Sequence, residues 1–512
     1  MNLKINRESL SVSEKIYDGS QEQSVELDYI LPDYYQDIFK MVKCTVYPSV
    51  TSYGINGETL TYELIADVKF LYCSEKNDTL HCINQRLTYS KSVNLGDRIN
   101  NPVISICPKT DHINCRVVNK RRVDMRGAVS IRIKVCGESK QEAICDVTGM
   151  NMQTKKFPVE YMAKKINKTK NIILNENIEL GDSKPPVISI IHMDVSLSEP
   201  EKKIIANKLV VKGDADIKIL YTCTDGMETM NFSVPYSQII DMEGLDESYF
   251  TSVKVEKIME DISAASDSND DNKLIKCEIK LNIVCCAYKT ITVELVSDLY
   301  STAYPCEHAV SKLAIEQPPM IICEKFQSKA LLQNDENNIL CVYDVRCDTK
   351  NINVRIDSKD KTINISGMLM FMALIKNESN APSAIEKEAA FEYSISCDKI
   401  TQNSTADIKI DSVDCTYTLT DSDGIAVKAD IKICGELYSS SFYQAVTDVS
   451  VDDSRKITRD GDYALKLYYG VRDENVWNIA KKYCTSVNAI IEENSLDTEC
   501  LSDDGMLLIP IV

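Results

Sequence analysis

The sequence predicts a mainly β protein: three tandem antiparallel β-sandwich or barrel-like units, followed by a small module of strand, helix, helix and strand. Three observations predict it. Short runs recur about every 150 residues along the chain. Within each run apolar and polar residues alternate, the period of a strand with one buried face. Over the last ~50 residues the period becomes that of short helices bracketed by strands.

The first recurring run is Ala66-Asp67-Val68-Lys69-Phe70-Leu71-Tyr72, which returns as Ala215-Asp216-Ile217-Lys218-Ile219-Leu220-Tyr221. A weaker third copy spans Leu369 to Ile375, with Gly367 standing where the second copy has Gly213. A second run, Ile133-Lys134-Val135-Cys136-Gly137-Glu138, returns as Ile431-Lys432-Ile433-Cys434-Gly435-Glu436, with Leu281-Asn282-Ile283-Val284-Cys285 between them. Ala429 to Ile433 also echoes the first run, so each unit reads as a doubled half. Tyr62, Leu64, Ala66, Val68, Phe70 and Tyr72 share one strand face, and Thr61, Glu63, Asp67 and Lys69 share the other. One dry face and one wet face is the pattern of antiparallel sheets. Turn signals separate the runs at Tyr53 to Gly57, Thr224 to Gly226 and Asp421 to Gly424.

Linker composition sets the limits. Gly181-Asp182-Ser183-Lys184-Pro185-Pro186 opens a second unit and Glu316-Gln317-Pro318-Pro319 a third. The expected organisation is a lead segment at 1–23, units at 24–180, 181–315 and 316–455, and a module at 463–512. The acidic stretch Ser266 to Asn272 is expected to be a solvated loop. Val451 to Asp462, polar and charged, is expected to connect the last unit to the module.

In that module, Leu465, Leu467 and Tyr469 alternate as a strand. Val476, Ile479, Ala480 and Tyr483 have helical spacing, and Ser486 can cap a second helix carrying Val487, Ile490 and Ile491. Leu507-Leu508-Ile509-Pro510 closes the chain as a short strand. Val476-Trp477-Asn478-Ile479-Ala480, the Ile490-Ile491 pair with Asn494 and Leu496, and Gly505 ahead of Leu508-Ile509-Pro510 resemble the LysM family. That resemblance implies a βααβ fold and, in the usual case, binding of N-acetylglucosamine chains. The family's Gly-Asp-Thr turn is replaced here by Asp473-Glu474-Asn475, and Met506 stands where a Gln is usual. Losing the Gly removes easy access to positive φ, and two carboxylates there have to stay solvated beside a sugar. The departure points to a module turned from glycan to protein.

Leu31-Pro32-Asp33-Tyr34-Tyr35-Gln36-Asp37-Ile38 and the two Pro-Pro openings resemble a β-rich domain of clostridial spore-associated proteins. Together with the tail, the chain resembles the SipL-like clostridial spore-coat morphogenetic proteins. The resemblance implies a scaffold on the forespore surface. Its LysM module would bind the coat-basement ATPase, stage IV sporulation protein A, through Trp477 and Leu465, and other coat proteins would join it. For both residues the alternative is a core position; Trp477 is the only Trp in the chain.

Composition narrows the rest. A net charge of −19 disfavours nucleic acid and anionic lipid as partners. The richest apolar stretch, Met368 to Ile375, is too short to span a bilayer, and the first residues carry no signal-like apolar core. The expected setting is therefore the cytoplasm, of the mother cell by the resemblance. The 20 cysteines are scattered and read as free thiols that act as small apolar residues, including the neighbours Cys285 and Cys286. His81, His112, His192 and His308 read as structural or surface groups. Cys73 with His81 and Cys82, and Cys107 with His112 and Cys115, fit no standard zinc spacing. No phosphate loop or nucleophile elbow is present. The expectation is a non-enzymatic protein without catalytic residues, metal or cofactor. The alternatives are a peptidoglycan-binding LysM protein of the wall or cortex and, more remotely, a LysM-anchored wall hydrolase.

Overall fold

The structure, a computed structural model, describes residues 3–511 apart from 75–79, 97–98, 182, 225, 267–271, 334–338, 378–381, 421–423 and 459–463. Most of the expected acidic loop at 266–272, the turn around 421–424 and the end of the connecting segment before the module fall outside the described residues. The fold is mainly β, with two short helices among the described residues.

The first six strands are β1 (Lys4–Ile30), β2 (Ile38–Asn56), β3 (Thr59–Ser74), β4 (Leu80–Asn94), β5 (Val103–Asn119) and β6 (Arg122–Thr148). They form two antiparallel sheets, β1-β6-β5 and β2-β3-β4. One core lies between them, built on Leu64, Phe70 and Tyr72 of β3 and Ile131 and Ile133 of β6. A single strand runs straight through residue 23, the expected limit of the lead segment, because β1 stays paired with β6 from Lys4 to Ile30.

Next come β7 (Met152–Glu179), β8 (Ser189–Leu197), β9 (Glu201–Ile205), β10 (Lys208–Cys223), β11 (Gly226–Asp241), β12 (Phe250–Ala265) and β13 (Leu274–Ser301). Sheets β12-β13-β7 and β11-β10-β8 enclose a second core around Leu209, Val211, Tyr221, Leu281 and Ile283. β7 lies before residue 180, yet it pairs with β13 over its whole length and gives Ile172 to this second core.

Then follow β14 (Cys306–Glu316), β15 (Met320–Gln333), β16 (Ile339–Asp357), β17 (Thr362–Asn377), β18 (Pro382–Ser396), β19 (Thr405–Leu419), β20 (Gly424–Tyr438) and β21 (Ser440–Val451). Sheets β15-β20-β19 and β16-β17-β18 close on a third core that includes Phe371, Ile363 and Ile431. The recurring runs occupy the middle strands. Those of the first type lie in β3, β10 and β17, those of the second in β6, β13 and β20. A middle strand is paired on both edges and faces the core, so its sequence is the most constrained.

The three sandwiches meet side by side. Leu71, Leu220 and Leu374, from the outer faces of β3, β10 and β17, share one buried cluster with Ile191. Ion pairs cross the seams: Lys218 to Asp344 at 2.7 Å, Lys69 to Glu260 at 3.7 Å and Lys409 to Glu256 at 2.9 Å. Burial works against the Glu256 charge, but the Lys409 and Lys254 ammonium groups override it and hold the carboxyl at about 2. A depressed carboxyl stabilises the fold above its unfolded value, and that contribution is lost as pH falls through the folded one. The seam between β12 and β19 is therefore expected to weaken between about pH 4.5 and pH 2. Hydrogen exchange of β12 and β19 across that range is the check, and Glu256→Gln should flatten the pH response.

Beyond the sandwiches, three two-stranded ribbons form a hub. They are the start of β1 with the end of β6, the start of β7 with the end of β13, and β14 with β21. Each ribbon carries a β-bulge, at Cys145, Ser297 and Thr447, where one strand has a residue without a partner opposite. Next to the bulges, Ile144 and Val147, Val296 and Leu299, and Val446 and Val449 pack into one cluster. Leu10, Ala143, Tyr161, Leu295, Leu313 and Ala445 belong to a second.

Gly435 in β20 shows how close the strands run. A Cβ there would lie 2.2 Å from the Asp407 carbonyl oxygen of β19. Gly435→Ala is expected to cost about 2 kcal/mol or more, since backbone cannot yield as a side chain can. Thermal unfolding of the variant tests this.

Candidate protein-docking site

The C-terminal module consists of β22 (Leu465–Gly470), α1 (Val476–Tyr483), α2 (Val487–Glu493) and β23 (Gly505–Pro510). β22 and β23 pair antiparallel, Leu467 opposite Leu508 and Tyr469 opposite Met506. Both helices lie on one face of this small sheet. Val476, Ile479, Ala480, Ile490, Leu507 and Ile509 fill the space between. A two-stranded sheet is marginal alone, so this packing is what holds it.

The tight turn before α1 contains Asp473, Glu474 and Asn475, the three residues that the resemblance implies as an altered sugar loop. Asp473 has φ +66°, so the left-handed conformation is kept without a glycine. Asp is one of the few residues that visit this region at modest cost. Glu474 does not simply face water. Its carboxylate accepts hydrogen bonds from the Tyr468 hydroxyl at 2.6 Å and the Val471 amide at 3.2 Å. Asn475 caps α1, its Oδ1 accepting from the Trp477 amide at 2.8 Å. All three residues thus serve the loop itself.

Among the described residues, nothing covers the opposite face of the sheet. Leu465 is 43% exposed, Leu467 65%, Tyr469 62%, Val471 55% and Met506 64%. Isolated exposed apolar residues are ordinary, but five on one face of so small a module form a patch of the kind used for docking. Of these, the resemblance implies only Leu465 as a partner contact, although Leu467 and Tyr469 share its strand pattern. The missed signal lay in β23, where Met506 and Leu508 are apolar as well as Leu507 and Ile509. A strand apolar on both faces has two faces to cover.

Trp477 lies elsewhere. It is 5% exposed and packs edge-on against Tyr300 of β13, with ring centres 5.0 Å apart. Its indole Nε1 donates to Asp298 at 2.8 Å, and Lys481 Nζ donates to the other carboxylate oxygen at 2.6 Å. The Tyr300 hydroxyl donates to the Thr485 carbonyl at 2.7 Å. Burial opposes the Asp298 charge, but the hydrogen bonds from Lys481 and Trp477 hold its carboxyl below the usual range. The two residues implied as one contact therefore sit on different surfaces. Leu465 looks outward, and Trp477 joins the module to the hub.

Three of the four histidines are held by neighbours. His192 is buried 2.5 Å from Asp194, His308 lies 3.3 Å from Asp298, and His81 stacks on Tyr72. Among the described residues no three His, Cys, Asp or Glu side chains gather as a metal would require. Among the described residues no disulfide joins the cysteines. No helix among the described residues is long and apolar enough to cross a membrane.

Residues 186–266, which contain β8 to β12, match the family described as SipL, SPOCS domain. The match supports a SipL-like family and a sporulation-related protein. No curated protein and no solved structure matches the chain.

Proposed function

We propose that this protein is a non-enzymatic scaffold of spore-coat assembly, working from the mother-cell cytoplasm at the forespore surface. Its C-terminal module, read as a degenerate LysM domain, captures the coat-basement ATPase, stage IV sporulation protein A, and its β units offer further edges and faces to other coat proteins. We read the β region as three tandem units with limits at residues 149–151 and 302–305, rather than at the Pro-Pro linkers. The equivalent bulges in the three ribbons support that reading.

The observation that carries the function is the uncovered apolar face of β22 and β23, with Leu465, Leu467, Tyr469, Val471 and Met506. It suits a polypeptide better than a sugar, because a glycan needs convergent polar groups and Glu474 is already engaged within its loop. Several docking surfaces on one chain also raise avidity toward a polymerised layer.

Affinity purification of the full chain from sporulating cells tests the scaffold, with the ATPase expected among the captured proteins. In a parallel titration with chitin oligomers no saturable heat is expected. Tight uptake there, without capture of the ATPase, would replace the scaffold by the glycan reading.

A further inference from the structure

The hub is close to threefold in its chemistry. One residue after each bulge stands an aspartate: Asp146, Asp298 and Asp448. Two of them are neutralised in the same way, by a cation on the first strand of the next ribbon around the ring. Asp146 takes Lys156 at 2.7 Å, and Asp448 takes Arg7 at 3.1 Å. Lys156 and Arg7 hold equivalent places, opposite Val296 and Ile144 in their own ribbons. The third such place, opposite Val446, is Val310, which carries no charge. Asp298 is therefore the one aspartate of the three without its ring cation. His308 approaches it to 3.3 Å, and the full positive charge comes from Lys481 of the C-terminal module, with the Trp477 indole on the other oxygen.

We propose that Asp298 is a docking socket, left open by Val310, which seats the C-terminal module on the hub in one fixed orientation. Trp477 and Lys481 are positioning residues that act within the chain, and the module is not a freely tethered domain. The seat turns the helices inward and the β22–β23 face outward, so the face assigned above to a partner is presented at a constant angle. That last consequence rests on the proposed function. The docking itself does not, and it is tested with no partner present.

Trp477 is the only Trp, so the intrinsic fluorescence of the full chain reports the seat directly. In the native chain its emission should be blue-shifted and poorly quenched by acrylamide, and trypsin should be slow at Arg455 and Lys456. Asp298→Lys is expected to raise the quenching constant several-fold, shift the emission to the red and speed cleavage at those two sites, with far-UV circular dichroism unchanged. Lys481→Glu should do the same from the module side, and the charge-swapped double variant should recover slow cleavage. Leu467→Ala with Tyr469→Ala should alter neither readout. Native quenching and native cleavage in both single variants would overturn the socket, as would a double variant cleaved as fast as the singles. Should Asp298→Lys lose its circular dichroism, the Lys481→Glu chain decides alone.

Discussion

Replacing Leu467 and Tyr469 together by alanine is expected to lower affinity for the proposed partner, the coat-basement ATPase, at least a hundredfold while leaving the fold intact. Both side chains stand out from the uncovered face of β22 and are more than half exposed. Their truncation therefore removes little that the folded chain uses, and stability should move by no more than about 0.5 kcal/mol. In an interface the balance reverses. An aromatic anchor at the centre of a small apolar patch commonly carries about 2 kcal/mol or more, and Leu467 beside it adds apolar area that water must otherwise cover. Two such losses exceed the roughly 2.7 kcal/mol that a hundredfold represents. Titration calorimetry of the full-length variant with the purified ATPase measures this directly. Unchanged affinity would remove the β22–β23 face from the interface. Leu465→Ala, at the less exposed end of the strand, should cost less.

The second large effect concerns the hub. Leu295 is fully buried where β13 meets the other ribbons, in one cluster with Leu10, Leu313 and Ala445. Leu295→Ala leaves a cavity that neighbours on three ribbons cannot easily refill, and it should cost about 2–5 kcal/mol. The loss is expected to be shared. Amides at 143–147, 295–299 and 445–449 should all exchange faster, because Ile144, Val296 and Val446 lie in one adjoining cluster. Faster exchange confined to the β7–β13 ribbon would mean that the ribbons do not form a common core. Leu10→Ala in the same chain should be less than additive, since the two side chains share a cavity.

The strands were legible in the sequence to different degrees for a physical reason. β3, β10, β6, β13 and β20 are middle strands with a core-facing row, and they announce themselves by alternation and recurrence. The hub was not legible. Two of its three ribbons are continuations of β1, β6, β7 and β13, which run 27 or 28 residues without a break, so no turn marks where those strands leave their sheets for the hub. The Pro-Pro segments looked like boundaries because Pro cannot donate to a ladder, yet β7 crosses the seam ahead of the first of them. In the tail the helices and strands followed from periodicity. The outward row did not stand out, because Leu465, Leu467 and Tyr469 resemble any core-facing strand. Trp477 could not be assigned from the sequence at all, because its acceptor, Asp298, comes from a distant strand.

Arg7 closes the hub by bonding to Asp448, which joins the first strand of the β region to the last. During synthesis the amino-terminal sandwich can form early, but its ribbon has no complete surroundings until β21 has left the ribosome. For most of translation, then, half of β1 waits with apolar residues such as Leu10 uncovered. Contacts between such remote parts of a chain form late and slowly, and exposed strand edges invite pairing with other nascent chains. This architecture therefore predicts a demand for chaperone protection that grows until the ring closes and then falls away in one step.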